Sequence, residues 1–167
     1  WTYDTGSSAW RSLGRTTTDA DGAYAVTLDA WPTARHDQPV YALLEADGSC
    51  TEHYDALLPA GTKIILSDID GTMTLSDEEL FKEIADGSYD PLENPSASAM
   101  MQRWARKGYV VVYLTARPHL FRAETREWLT RKGFPVGPVI TANQLVFDDS
   151  ARRYKRAWVQ RITSDFR

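Results

Sequence analysis

The run Ile64-Ile65-Leu66-Ser67-Asp68-Ile69-Asp70-Gly71-Thr72 constrains this chain more than any other stretch: a short apolar segment ends in two acids one residue apart, followed by glycine and threonine. Such a segment reads as a buried strand. Side chains at i and i+2 leave a strand on the same side, so Asp68 and Asp70 converge just past its carboxyl end. Two converging carboxylates suit phosphate-ester hydrolysis. One attacks to form an aspartyl-phosphate, while the other protonates the leaving alkoxide and then deprotonates the incoming water. Asp68 suits the first role and Asp70 the second. Gly71 lets the backbone approach a phosphate closely, and Thr72 adds a hydroxyl and an N–H to the same cradle. Two acids facing a phosphate repel it, so a hard divalent cation is expected, Mg²⁺ above others, with Asp68 and Asp70 as ligands.

Beyond Lys63 strand and helix signals alternate. The second strand is expected at Tyr109–Leu114, running into Thr115-Ala116-Arg117-Pro118, and a third near Val139–Thr141. That alternation predicts a parallel sheet with helices on both faces, and ligands in such sheets bind beyond the carboxyl ends of the strands, where Asp68, Asp70 and Thr115 all fall. Asn94-Pro95 reads as the N-cap and first residue of a helix turning Met100, Met101, Trp104 and Ala105 inward and closed by Gly108. A further helix after Pro118 is expected to align Leu120, Phe121, Trp128 and Leu129 and to end at Gly133. The acidic, polar segment Met73–Pro95 carries no sign of a folded lid, which predicts an open site.

The residues Asp68-Ile69-Asp70-Gly71-Thr72 resemble the first motif of the haloacid dehalogenase (HAD) phosphatases, and Thr115-Ala116-Arg117-Pro118 resembles the second, where Thr115 would hold the transferring phosphoryl group. Lys155, in Arg153-Tyr154-Lys155, is similar in place to the lysine that neutralises nucleophile and phosphate. Ser67–Thr72, the Ala116-Arg117 pair and Gly137-Pro138-Val139-Ile140 together resemble the lipin/Ned1/Smp2 (LNS2) domain. The resemblance covers about Lys63 to Arg167 and implies a HAD-like Rossmannoid fold. It also implies Asp68, Asp70, Thr115 and Lys155 as catalytic residues, Gly71, Thr72, Ala116 and Arg117 as phosphate-binding residues, and phosphatidate as substrate. LNS2 domains include Mg²⁺-dependent phosphatidate phosphatases, and relatives in Nir phosphatidylinositol-transfer proteins that bind phosphatidate without hydrolysing it and lack the paired acids. Both acids are present here, which favours a phosphatidate phosphatase over the alternatives, a non-catalytic phosphatidate-binding module or a HAD phosphatase for polynucleotide ends or small esters. The family's fourth motif, which completes the Mg²⁺ site, does not follow Lys155, and Asp148-Asp149 precede that lysine rather than follow it. The chain opens at Trp1 with no methionine or targeting segment, so it is expected to be a piece of a longer protein.

Residues 1–60 differ in style. Runs such as Tyr24–Leu28 and Val40–Leu44, separated by turns at Asp19–Gly22, Trp31-Pro32 and Asp47-Gly48, predict a small all-β sandwich, with a boundary near Pro59–Thr62 and the α/β domain over 61–167. Thr18–Tyr24 resembles the turn and strand of transthyretin-like and carboxypeptidase-regulatory-like sandwiches. Asp19-Ala20-Asp21-Gly22 lacks the further ligands of a calcium loop and reads as a plain turn. Cys50, the single cysteine, rules out an internal disulfide and is expected to be a small packed residue. Charge is uneven: residues 1–60 carry three Lys/Arg against nine Asp/Glu, and residues 101–167 carry fourteen against five. The second half therefore suits an anionic membrane surface as a peripheral partner, with nucleic acid the less favoured polyanion.

Overall fold

The computed structural model describes residues 1–4, 6–26, 38–55, 58–143, 146 and 148–165. The chain divides into two compact units, Trp1–Leu58 and Pro59–Arg167.

Among the described residues of the first unit, β1 (Thr2–Asp4) pairs antiparallel with β2 (Ala9–Arg11), and β3 (Gln38–Leu43) with β4 (Cys50–Asp55). Trp1 and Tyr41 exchange backbone hydrogen bonds, and Trp10 sits edge-on to both Tyr3 and Tyr41. The described strands make two separate two-stranded sheets. Tyr24–Val26 lies outside any strand, and Thr27, Leu28 and the Trp31-Pro32 turn lie outside the described residues. The Asp19 carboxylate accepts the N–H groups of Asp21 and Ala23, the plain turn expected there. Cys50 is exposed at the start of β4, opposite an equally exposed Leu43, so it is not a packed residue.

The second unit is α/β. Its parallel sheet has the order β5 (Ile64–Ser67), β6 (Val110–Pro118), β7 (Val139–Ala142). The central strand reads Val-Val-Val-Tyr-Leu-Thr and is buried from Val111 to Thr115, the continuous apolar run that a parallel strand covered on both faces requires. Helices α2 (Ala97–Arg106) and α4 (Asp148–Asp165) pack against β6, and α3 (Arg122–Arg131) against β7. The core joins Ile69, Met73, Met101, Val111, Tyr113, Trp128, Leu129 and Phe134.

Three local expectations are corrected. Helix α2 begins at Ala97 rather than Pro95, with Ser96 at the cap in a left-handed conformation, φ 67°. Asn94 instead donates its side chain to the Thr72 carbonyl and accepts the Ala97 N–H on its own. The inward face is centred on Ala97 and Met101: Met101 is buried, whereas Met100 is half exposed and Trp104 sits at the rim under the Lys107 ammonium. After Pro118 a 3₁₀ turn, His119–Phe121, precedes α3, so Leu120 leaves the stripe and is exposed while Trp128 and Leu129 are buried.

The third correction concerns Met73–Pro95, which is organised. Thr74 bridges Glu93, Leu75 N–H donates to Leu92 O, and Asn94 N–H donates to Met73 O, closing the segment at its base. Inside it lies α1 (Glu79–Ala85). Asp90 pairs with Arg131 and Lys132, and the Trp128 indole donates to Pro91 O at 2.9 Å, fastening the segment to α3. Glu79 is buried and accepts from Lys82 Nζ (2.7 Å), Tyr89 Oη (2.8 Å) and Leu92 N–H (2.7 Å). Burial alone would raise its pKa, but the hydrogen bonds outweigh it and hold the carboxyl down at about 2. A depressed native pKa stabilises the fold above the ordinary value of 4.5, and that contribution drains away as pH falls toward 2. Glu79→Gln is expected to lose about 2–3 kcal/mol at neutral pH and to flatten the acid limb of a stability–pH curve in that window. An unaltered acid limb would remove Glu79 as its cause.

Candidate active site

The site lies at the carboxyl ends of β5 and β6. Ile69, fully buried, anchors the loop after β5. Its carbonyl accepts the N–H groups of Thr72, Met73 and Thr74 at 2.8–3.2 Å. Gly71 N–H donates to Thr74 Oγ1 at 3.0 Å, with φ +68°. This tight turn puts Asp68 and Asp70 on the site side, yet it uses internally the N–H groups of Gly71 and Thr72 that the sequence suggested for a phosphate. Both residues are exposed. A Cβ at Gly71 would meet the Asp77 carboxylate at 2.6 Å in a conformation that L residues resist, so Gly71→Ala is expected to cost about 1–2 kcal/mol in a denaturation experiment.

The structure brings Asp68, Asp70, Thr115, Arg117 and Lys155 together. Lys155 Nζ donates to Asp68 Oδ2 at 2.6 Å, and Ile69 N–H to Asp68 Oδ1 at 2.9 Å. Both side chains of the ion pair are 30% exposed. Burial still pushes the Asp68 carboxyl above the ordinary carboxylate value, outweighing the lysine. Thr115, fully buried, donates to Asp70 Oδ2 at 3.0 Å and accepts the Arg117 N–H. Arg117 is buried as well. Its Nε and Nη2 reach Asp70 Oδ1 at 3.0 and 2.8 Å, and its Nη1 reaches Glu83 Oε2 at 3.1 Å and Thr125 Oγ1 at 3.3 Å. Burial raises the Glu83 carboxyl despite that partner. Ala116, half buried between Thr115 and Arg117, adds no polar side chain.

Glu83 on α1 and Thr125 on α3 were not singled out from the sequence. Neither lies in a motif, and only the folding of 73–95 over the strand tips brings Glu83 to the guanidinium. His119 hydrogen-bonds Thr141 Oγ1 and, at 2.8 Å, Asn143 Oδ1, tying the ends of β6 and β7. Asp148 and Asp149 open α4, where Asp149 lies 3.6 Å from Arg152.

A Mg²⁺ ion needs carboxylate oxygens free to face one point. Here the Asp70 oxygens accept from Arg117 and Thr115, and those of Asp68 from Lys155 and Ile69 N–H. Among the described residues no cluster of three Asp, Glu, His or Cys is placed to hold a metal. Asp68 and Asp70 are the two carboxylates that would hold Mg²⁺ here, with water and a substrate phosphate completing its shell.

A parallel sheet with paired acids, a buried threonine and two cations at its strand tips defines the class of this unit as α/β. The family model for the "PITM 1-3, LNS2 domain" matches residues 65–167, and the chain belongs to that family. Membrane-associated phosphatidylinositol transfer protein 3 of Mus musculus is 28% identical over 110 residues, 66% of this chain. Membrane-associated phosphatidylinositol transfer protein 2 of Homo sapiens is 24% identical over 160 residues, 95% of this chain. Protein retinal degeneration B of Drosophila melanogaster is 26% identical over 140 residues, 83% of this chain. The chain spans 11% of the length of each. The LNS2 resemblance read from Ser67–Thr72 and Thr115–Pro118 is thus met on the phosphatidylinositol-transfer side of the family. No helix among the described residues is long and apolar enough to cross a membrane.

Proposed function

We propose that the unit Pro59–Arg167 is a lipid-headgroup-binding module of HAD-like LNS2 type, which takes the phosphomonoester of phosphatidate at the strand-tip cluster and does not hydrolyse it. One observation carries this reading: the Arg117 guanidinium is buried and divided between Asp70, Glu83 and Thr125. A general acid must carry a proton to the leaving oxygen. Asp70 is instead an acceptor locked by a cation that solvent does not reach, which makes it a structural brace. Membership beside proteins named for phosphatidylinositol transfer supports the same reading. Exposed Arg152, Arg153 and Arg156 on α4 would add attraction to an anionic surface.

The phosphatase reading rests on the Asp68–Lys155 contact and on Thr115 beside Asp70, and it requires Mg²⁺ to displace the cations now on the acids. Soluble esters and polynucleotide ends would use the same residues. The deciding experiment incubates the chain with phosphatidate vesicles, with and without Mg²⁺, and follows both co-sedimentation and phosphate release. Binding without release, surviving Asp68→Asn, is expected. Mg²⁺-dependent release abolished by Asp68→Asn would replace the module with an enzyme.

A further inference from the structure

The cluster holds two cations, and they differ in access. Arg117 is spent inside the fold, with its side chain fully buried. Lys155 is 30% exposed, on a flexible stem that can swing between partners. A phosphate entering from solvent therefore meets Lys155, and it meets it already paired with Asp68 at 2.6 Å. The carboxylate and a phosphomonoester dianion are both anionic oxygen acceptors competing for one ammonium, and at this range they repel each other.

From this geometry we infer that Asp68 is an internal competitor for the headgroup: the phosphomonoester binds by displacing Asp68 from Lys155, and the Asp68 charge sets the affinity. This rests on the headgroup-binding reading above and assigns Asp68 a role opposite to that of a nucleophile. It also accounts for a paired acid in a binding site. The carboxylate keeps Lys155 oriented when the site is empty and penalises weaker anions, a form of discrimination by competition. A phosphodiester with a single charge displaces it less well than a dianion.

The test measures the full chain, Asp68→Asn, Lys155→Met and the double variant. Probes are phosphatidylcholine vesicles containing phosphatidate, vesicles of matched charge containing phosphatidylserine, and soluble glycerol 3-phosphate by calorimetry. Asp68→Asn is expected to tighten phosphatidate binding about five- to tenfold, approaching the 1.4 kcal/mol of a tenfold change. Lys155→Met is expected to lose at least about tenfold, and the Asp68→Asn gain should vanish in the double variant. A gain on glycerol 3-phosphate as well places the competition at the headgroup alone; a gain on vesicles only makes the lipid its source. Wild-type binding that Asp68→Asn leaves equal or weaker overturns the competitor role and spares the headgroup reading, as does an equal gain on phosphatidylserine. No binding by either protein to any probe overturns both. Asp68→Ser serves the same comparison should Asp68→Asn not fold.

Discussion

Arg117→Met is expected to destabilise the Pro59–Arg167 unit by about 3–5 kcal/mol, the largest polar effect expected among the described residues. The guanidinium is the shared partner of Asp70 and Glu83, both of whose side chains are about 85% buried, at 14% and 15% exposure. Removing it leaves two carboxylates facing each other in a desolvated setting, where neither regains water nor finds another cation. Methionine restores most of the volume, so the loss is electrostatic rather than a cavity. Arg117→Lys should recover little, because one ammonium cannot reproduce the fork that reaches Asp70 on one side and Glu83 and Thr125 on the other. Adding Asp70→Asn and Glu83→Gln to Arg117→Met should restore a large part of the stability. Urea denaturation of the four proteins checks this, and a loss below about 1 kcal/mol, the scale of an exposed ion pair, would mean that Arg117 is not the brace described here.

Gly137→Ala is expected to cost about 3 kcal/mol or more for a different reason. A Cβ at this position would overlap the Val111 carbonyl oxygen, which is backbone of the central strand and cannot rotate away. The neighbouring Pro138 carbonyl accepts the Tyr113 N–H at 2.8 Å, and Tyr113 Oη donates to Pro135 O at 2.5 Å. The segment entering β7 is therefore stapled against β6 on both sides of Gly137, and the methyl group could be accommodated only by prising the two strands apart. Thermal denaturation should register a fall of well over about 10 °C, and a hydrogen-exchange experiment should place the lost protection in β6 and β7. A substitution tolerated within about 1 kcal/mol would show that this lead-in shifts freely.

Much of the α/β unit was legible in the chain because its signals are local. The apolar runs before Asp68 and Thr115 announce two parallel strands, and Gly108 and Gly133 mark helix ends where they stand. The five side chains Asp68, Asp70, Thr115, Arg117 and Lys155 could be picked from motifs alone, and they do meet. What motifs could not convey was their pairing. Thr115 faces Asp70 rather than Asp68, and Arg117 turns inward to a partner, Glu83, supplied by a segment whose polarity reads as loop. That polarity misleads because Glu79 is buried on Lys82, Tyr89 and Leu92, Glu93 accepts the Ser98 N–H, and Asp90, though exposed, pairs with Arg131 and Lys132. Helix faces differed in detail: α2 turns Ala97 and Met101 inward and leaves Met100 exposed, and Leu120 stands exposed in a 3₁₀ turn ahead of α3. In the first unit the apolar run Val40–Leu44 falls largely within β3, whereas Tyr24–Val26 lies outside the described strands.

The bridge between Thr74 and Glu93 makes the two ends of that segment next-door neighbours, although eighteen residues separate them in sequence. Everything between is a side loop hung on a fixed clasp. Lengthening it leaves β5 and α2 where they are, and the entropic penalty grows slowly, about 0.6 kcal/mol for each doubling. What the site admits is thus open to variation by insertion in the loops of this segment, so long as α1 keeps Glu83 on the Arg117 guanidinium.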